Sequence, residues 1–302
     1  MTIKRQKKRA SDVIFYLSML AWPLLQFFIM WFLVNVNSIL LAFKQYDVDA
    51  FTYEFVGLTN FQRVLTDLFN DGLFFIALKN SIWHYLLGLL TMPLGILLSF
   101  YLYKKSFGHK FFKVVLNVPS FISAVVFTII FKYLADRAFP EVVKSITGED
   151  TLGLLVGDFA FTAILIKNMY FSLCGNILLY LGAMNGIDEG LFEAATLDGA
   201  TMGKEFIHIV LPCIWPTIST ILIVGTAGIL TSDPGLYLIY AGAAPTEYYT
   251  FGYYMFKGVK EASPIIGYPY YSAFGLLLTA IAIPMVFGFK KLLEKIDPMR
   301  DV

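Results

Sequence analysis

Six long apolar runs alternate with shorter polar stretches along this chain, at about residues 13–43, 76–103, 114–134, 158–182, 211–231 and 270–289. Each matches or exceeds the roughly 20 residues that an α-helix needs to cross a bilayer core. The pattern predicts an all-α polytopic membrane protein with six transmembrane helices. It divides into a basic N-terminal segment over 1–12, a membrane domain over 13–290 and a tail over 291–302. The first run is too long for a signal-peptide core and has no convincing small-residue cleavage site, so it reads as a retained anchor. Its excess length calls for tilt or protrusion, and Pro23 is a candidate kink.

The polar stretches differ in character. Residues 44–74 are mixed, with Asp47, Asp49, Glu54, Asp67 and Asp71, and Lys104, Lys105, His109, Lys110 and Lys113 form a basic connector. Residues 135–156 read as a polar loop that includes Gly148-Glu149-Asp150. Residues 232–268, with Asp233, Pro234, Pro245, Glu247, Lys257, Lys260, Glu261 and Pro264, read as short helices and turns at the membrane surface. The most structured stretch is Met184 to Pro212, where Asp188, Glu189, Glu193, Asp198 and Glu205 face the single Lys204. Asp188 can cap a helix, and Glu189 suits its first turn, where the macrodipole favours negative charge. Ala194 and Ala195 favour helix, and Gly199 is the expected stop. Thr201 can cap a second short helix that ends where Leu211-Pro212 opens the next run.

Composition agrees with a membrane protein. Of 302 residues, 58% are hydrophobic and 15% charged, and mean hydropathy is +0.68. A net charge of +1 gives no case for nucleic-acid binding. Cys174 and Cys213 show neither metal spacing nor a disulfide framework. Six spans put both termini on one side. That side, with the 104–113 connector and the acidic segment, carries 14 Lys and Arg against 6 in the longer loops opposite. The positive-inside rule then makes the termini and the acidic segment cytoplasmic. No G-x-x-x-x-G-K-[ST] is present to cradle phosphates, and HExxH, CxxC and GxSxG are absent too.

The order Glu193-Ala194-Ala195, Asp198-Gly199-Ala200, Leu211-Pro212 resembles the EAA loop of binding-protein-dependent ABC importer permeases, the sugar permeases above all. Two further stretches resemble that group. Phe55 to Leu65 matches its FVGL-NF segment, and Tyr240 to Phe256 its GGGP-T-L-YIY segment, with Ala243 and Ala244 where two glycines are usual. The resemblance spans nearly the whole chain. It implies a multi-pass bacterial inner-membrane subunit whose EAA loop, 184–211, lies between helices four and five and docks on a separate ATPase. Glu193, Ala194, Ala195, Asp198 and Gly199 would carry that docking. It implies no cofactor in this chain, with ATP and Mg on the partner. The other partners would be a second homologous permease, two ATPase subunits and an extracytoplasmic solute-binding protein.

Polar groups inside spans are costly in lipid and face an interior or a wet cavity. Asn168, Ser172 and Asn176 lie at i, i+4 and i+8 with Gly175 alongside, a neutral hydrogen-bonding face suited to sugar hydroxyls. Interhelical hydrogen bonding is the competing reading. Thr226, Thr231 and Ser232, and Asn117 and Ser120, are weaker substrate-path candidates of the same kind. Gly88, Thr91, Gly95 and Ser99 read as a close-packing face, and His84 as a packed or hydrogen-bonded histidine rather than a ligand. Lys167 either snorkels outward or faces the cavity, with no acid expected in the helical cores to pair with it. Nine of the 18 tyrosines fall between Tyr237 and Tyr271, which reads as an interfacial aromatic belt. Two other classes compete. A secondary transporter should show internal repeats and intramembrane charge, and a membrane enzyme a clustered catalytic set, but His84, His109 and His208 are scattered. An importer for a non-sugar solute is the nearer alternative.

Overall fold

The computed structural model describes residues 10–70, 72–263 and 265–298. The basic run Lys4 to Arg9, Asp71, Pro264 and Arg300 lie outside them. The helices in chain order are α1 (Ala10–Gln26), α2 (Val34–Leu41), α3 (Thr59–Asn70), α4 (Leu73–Tyr103), α5 (His109–Asn117), α6 (Ala124–Tyr133), α7 (Phe139–Thr147) and α8 (Ala160–Asn185). There follow α9 (Glu189–Leu197), α10 (Met202–Glu205), α11 (Leu211–Cys213), α12 (Trp215–Gly228), α13 (Leu236–Tyr240), α14 (Phe251–Glu261) and α15 (Tyr268–Ile296). The described residues fall into two compact units. One holds those up to Thr66 with Ala262–Leu277, the other Asp67–Glu261 with the residues from Leu278 on.

In the first unit α1 and α2 join through a π-turn at Phe27–Leu33, just past Pro23, and the apolar run Phe15–Leu41 is long enough to cross a membrane. The all-helical expectation needs one correction here. Lys44–Asp47 (β1) and Thr52–Phe55 (β2) form an antiparallel hairpin with Lys44 opposite Phe55. Aromatic residues favour strands, and Tyr46 and Tyr53 pair across the ladder at 5.2 Å. The Asp47 carboxylate fixes the turn by accepting from the Asp49 and Ala50 amides at 2.8 and 3.2 Å. Asn60 then donates to the Ala42 and Lys44 carbonyls at 3.0 and 2.7 Å and seats the hairpin on α3.

The second unit is built on α4 and α8. Small residues let their backbones approach. A β-carbon on Gly95 would lie 3.3 Å from the Tyr180 ring, and the Ser99 hydroxyl donates to the carbonyls of Gly95 and Ile177 at 2.7 and 3.2 Å. Ile96, Phe100, Tyr180, Met184, Val210 and Ile214 close the core where α4 and α8 meet the chain after α9.

Among the described residues four helices are long and apolar enough to cross a membrane, and six spans result only if each of two bent pairs counts as one. The third apolar run is not one helix. α5 ends at Asn117, a 3-10 turn covers Val118–Phe121, Ile122 is extended, and α6 restarts under a Ser123 cap after a 101° bend. Pro119 cannot donate within a helix, and the Ser123 hydroxyl accepts from the Val126 amide at 3.3 Å, so the sequence itself specifies the restart. The fifth run is also corrected. The helix beginning at Met202 does not stop at Leu211-Pro212 but runs through a π-turn at Phe206–Val210 to Cys213. It breaks at Ile214 and restarts as α12 after a 62° bend.

Candidate functional site

A cavity of about 200 Å³ opens between α4, α8 and α12. Ser81, His84 and Gly88 line it from α4, Asn168, Ser172 and Asn176 from α8, and Gly225 and Ser232 from α12 and the turn beyond. Its polar groups are neutral hydroxyls, amides and one imidazole. His84 Nδ1 lies 3.2 Å from the Ser232 hydroxyl, and Asn176 donates to the Ser172 hydroxyl at 3.3 Å. Tyr85, also on the wall, meets the Thr226 hydroxyl at 3.0 Å. A β-carbon on Gly225 would lie 3.1 Å from the Tyr85 ring, so glycine lets that ring rest on α12. Ser81 is 2% exposed and its hydroxyl has no hydrogen-bond partner among the described residues, leaving a buried polar atom on the cavity wall that an incoming group can satisfy.

The chain leaves α12 through Asp233-Pro234-Gly235 into the five-residue α13. Irregular backbone at such a place must find partners for its polar groups, and neighbouring side chains supply them. Asp233 Oδ1 accepts from the Gly235 and Leu236 amides at 3.1 and 2.9 Å. Burial pushes the Asp233 carboxyl up, against those amide bonds and the Lys167 charge, which pull it down. Lys167 and Asn168 both donate to the Pro234 carbonyl, and Lys132 donates to that of Ile239 at 2.5 Å. Farther on, Asn80 donates to the carbonyls of Glu247 and Tyr249 at 2.7 and 2.9 Å. The Tyr253 hydroxyl donates to the Ala241 carbonyl at 3.0 Å and accepts from the Ala244 amide at 3.3 Å. Tyr240 donates to the Leu155 carbonyl at 2.8 Å, and burial holds its phenol up at about 12, so it stays a donor at neutral pH.

The polar segment between α8 and α10 is built differently. Asp188 caps α9 by accepting from the Gly190 amide at 2.9 Å. At the other end Gly199 adopts φ +70, its amide donates to the Thr196 carbonyl and the Ala200 amide to that of Ala195. That is a Schellman stop, and the left-handed residue in it is best a glycine. Thr201 has the extended geometry of a cap, but its side chain makes no capping bond. Glu193, Ala194, Asp198 and Gly199 are exposed, and Ala195 is half-buried. Leu197 is 89% exposed beside them. The segment is tied to the end of α4 by ring contacts, with Phe192 5.6 Å from Tyr103, and by a lysine. Lys104 pairs with Glu205 at 2.5 Å and lies 4.6 Å from the Phe192 ring centroid.

The structure thus brings Asn168, Ser172, Asn176 and Ser232 to one cavity, with Thr226 behind its wall through Tyr85. It does not bring the other candidates there. Gly175 is half-buried beside Cys174, and Thr231 is exposed and turned to the Ala227 carbonyl. Asn117 and Ser120 sit at the α5–α6 break, where Ser120 donates to the Asn117 carbonyl at 2.7 Å. Lys167 does not snorkel outward. It is 5% exposed, and Asp233, just past the fifth apolar run, is the acid the helical cores did not offer. Part of the tyrosine cluster has a second role. Tyr248, Tyr249 and Tyr253 are buried, and Tyr240, Tyr248 and Tyr253 donate to backbone carbonyls as clamps. Sequence reasoning passed over Ser81 and Tyr85. Their spacing with His84 and Gly88, a polar face over two turns of α4, was the available signal.

Long apolar helices, three of them lining a small cavity, define the class of multi-pass membrane proteins. Residues 91–298 match the family described as binding-protein-dependent transport system inner membrane component, and the chain belongs to it. The relative LplB of Bacillus subtilis is 26% identical over 292 residues, covering 93% of this chain and 89% of its own. The polygalacturonan/rhamnogalacturonan transport system permease protein YteP of the same organism is 26% identical over 290 residues, covering 93% and 88%. A crystal structure of a bacterial ABC transporter involved in import of the acidic polysaccharide alginate contains a chain of the same fold. Its TM-score is 0.73 at 24% identity, over 95% of this chain and 96% of that one.

Proposed function

We propose that this chain is the permease subunit of an ATP-driven, binding-protein-dependent importer for a carbohydrate, an oligosaccharide in particular. The observation that carries the solute class is the cavity between α4, α8 and α12. Among apolar side chains its wall offers hydroxyls and amides, one of them Ser81 with no partner among the described residues, and the described residues lining it include no carboxylate, lysine or arginine. Such a lining matches sugar hydroxyls and gives an ion or an amino acid no counter-charge. The relatives named for polysaccharide and oligosaccharide transport support the same class.

The chain has no phosphate-binding loop, so ATP and Mg belong to a partner ATPase pair, and a second permease completes the path. The exposed face of α9 suits the docking. Leu197 offers apolar area, Ala194 permits close approach, and Glu193 carries no ion pair among the described residues and can take a charge-assisted bond from a basic partner. Each bent pair then counts as one span, giving six, with both termini and α9 in the cytoplasm. Labelling of a cysteine placed at Lys105 from outside intact cells would reverse that orientation.

The test is uptake by the assembled importer. Glu193→Lys or Gly199→Asp is expected to abolish ATP-driven uptake of neutral oligosaccharides while leaving the subunit in the membrane. Uptake at the unmutated rate by both variants would refute docking through α9.

A further inference from the structure

Lys167 is the residue that the importer reading leaves unexplained. It is 5% exposed, two turns inside a span, where a basic side chain is kept only for a reason. Its nitrogen donates to the Thr128 hydroxyl of α6 and to the Pro234 carbonyl, both at 3.0 Å. The neighbouring Asn168 donates to the same carbonyl at 2.9 Å. A carbonyl oxygen has two lone pairs, and here both are taken. Thr128 in turn donates to the Ala124 carbonyl at 2.8 Å, which turns its oxygen lone pairs toward Lys167.

The far end of α13 is held in the same manner, by Lys132 of α6 on the Ile239 carbonyl. A five-residue helix has no stability of its own, so its place is set by these side chains. Gly235 is needed for the fit. Its φ is +86, and a β-carbon there would lie 3.1 Å from both the Lys167 nitrogen and the Thr128 methyl. Asn168 belongs to two structures at once, because it also lines the cavity, as does Ser232, two residues before Pro234. The Asn168 amide has a second N–H, so a solute hydroxyl takes a donor away from Pro234 by drawing the side chain round into the cavity, which leaves that carbonyl to Lys167 alone.

We propose that Lys167 and Asn168 form a two-donor latch on the Pro234 carbonyl, which holds α13 in place until a hydroxyl-bearing solute in the cavity claims Asn168. Lys167 is the anchor and acts by positioning the turn. Asn168 reads the solute. The latch rests on the importer reading and deepens it, since it links occupancy of the path to movement of the segment beyond α12.

The experiment uses the importer assembled with its partner permease, ATPases and binding protein, and follows amide hydrogen exchange over 235–240 together with uptake kinetics. In the unmutated complex a saturating neutral oligosaccharide is expected to speed exchange there about tenfold, the scale set by one lost hydrogen bond to a charged or polar donor. Lys167→Met should show the fast exchange without solute and a lower maximal uptake rate at little-changed KM, with Lys167→Arg restoring both. Asn168→Leu should raise KM and erase the solute-dependent change in exchange. If Lys167→Met does not assemble, Thr128→Val loosens the same anchor and should speed exchange about threefold. Exchange that ignores both the solute and these substitutions would overturn the latch. An unmutated complex that moves no sugar with ATP would instead defeat the importer reading beneath it.

Discussion

The segments on either side of α12 solve one problem in opposite ways. Both are non-spanning stretches whose backbone needs hydrogen-bond partners. Residues 186–201 supply their own, through the Asp188 cap and the Gly199 stop, and touch the end of α4 through Phe192, which packs on Tyr103 and Lys104. Residues 233–249 supply part of theirs, through Asp233 and short turns, and borrow the rest from Asn80, Lys132, Lys167, Asn168 and Tyr253. A stretch that satisfies itself can leave its face open to another protein. A stretch satisfied by the spans must follow whatever those spans and the cavity between them do. The first keeps its outer face open, and the second is bound to residues of the cavity wall.

Three substitutions press on this contrast, in falling order of effect. Gly252 lies at the start of α14, where a β-carbon would meet the Thr231 carbonyl oxygen at 2.4 Å and the Ser232 carbonyl carbon at 2.5 Å. Backbone cannot yield as a side-chain tip does, so Gly252→Val is expected to cost about 3 kcal/mol and most of the detergent-stable protein in size-exclusion chromatography. A full yield would show that the borrowed-partner segment tolerates displacement. Tyr253→Phe leaves the Ala241 carbonyl and the Ala244 amide without their shared hydroxyl. It should lower stability by about 2 kcal/mol, read as a drop in Tm in detergent. Asp188→Ala removes one cap from an exposed helix and should cost about 1 kcal/mol locally. Its Tm should hardly change, while stimulation of the partner ATPase by loaded binding protein falls. Equal Tm losses for Tyr253→Phe and Asp188→Ala would erase the distinction between the two segments.

Legibility followed the same division. The Asp188 cap, the glycine stop at Gly199 and the packing face of Gly95 and Ser99 were readable because each depends on residues within one or two turns, or on side-chain size alone. The shared face of Asn168, Ser172 and Asn176 was readable from helical period, and the structure turns it to a cavity. The 44–55 hairpin was missed because Asp and Glu masked its aromatic strand pattern, and what fixed it was Asn60, well outside the local window. The bends near Val118–Phe121 and Ile214 were smoothed over because hydropathy stays high across a broken helix.

The order and length of the apolar runs, the residues 186–201 and their caps, and the membrane setting were all contained in the sequence. Those features rest on short-range backbone chemistry and on the transfer of apolar surface from water, both of which act residue by residue. Only the tertiary structure decided that Ser81 faces a cavity with no partner among the described residues, that Lys167 turns inward to a carbonyl, and that Tyr240, Tyr248 and Tyr253 clamp backbone. A hydrogen bond across 66 or 67 positions of chain exists only once three helices have packed, and no local pattern records which donor will reach which carbonyl.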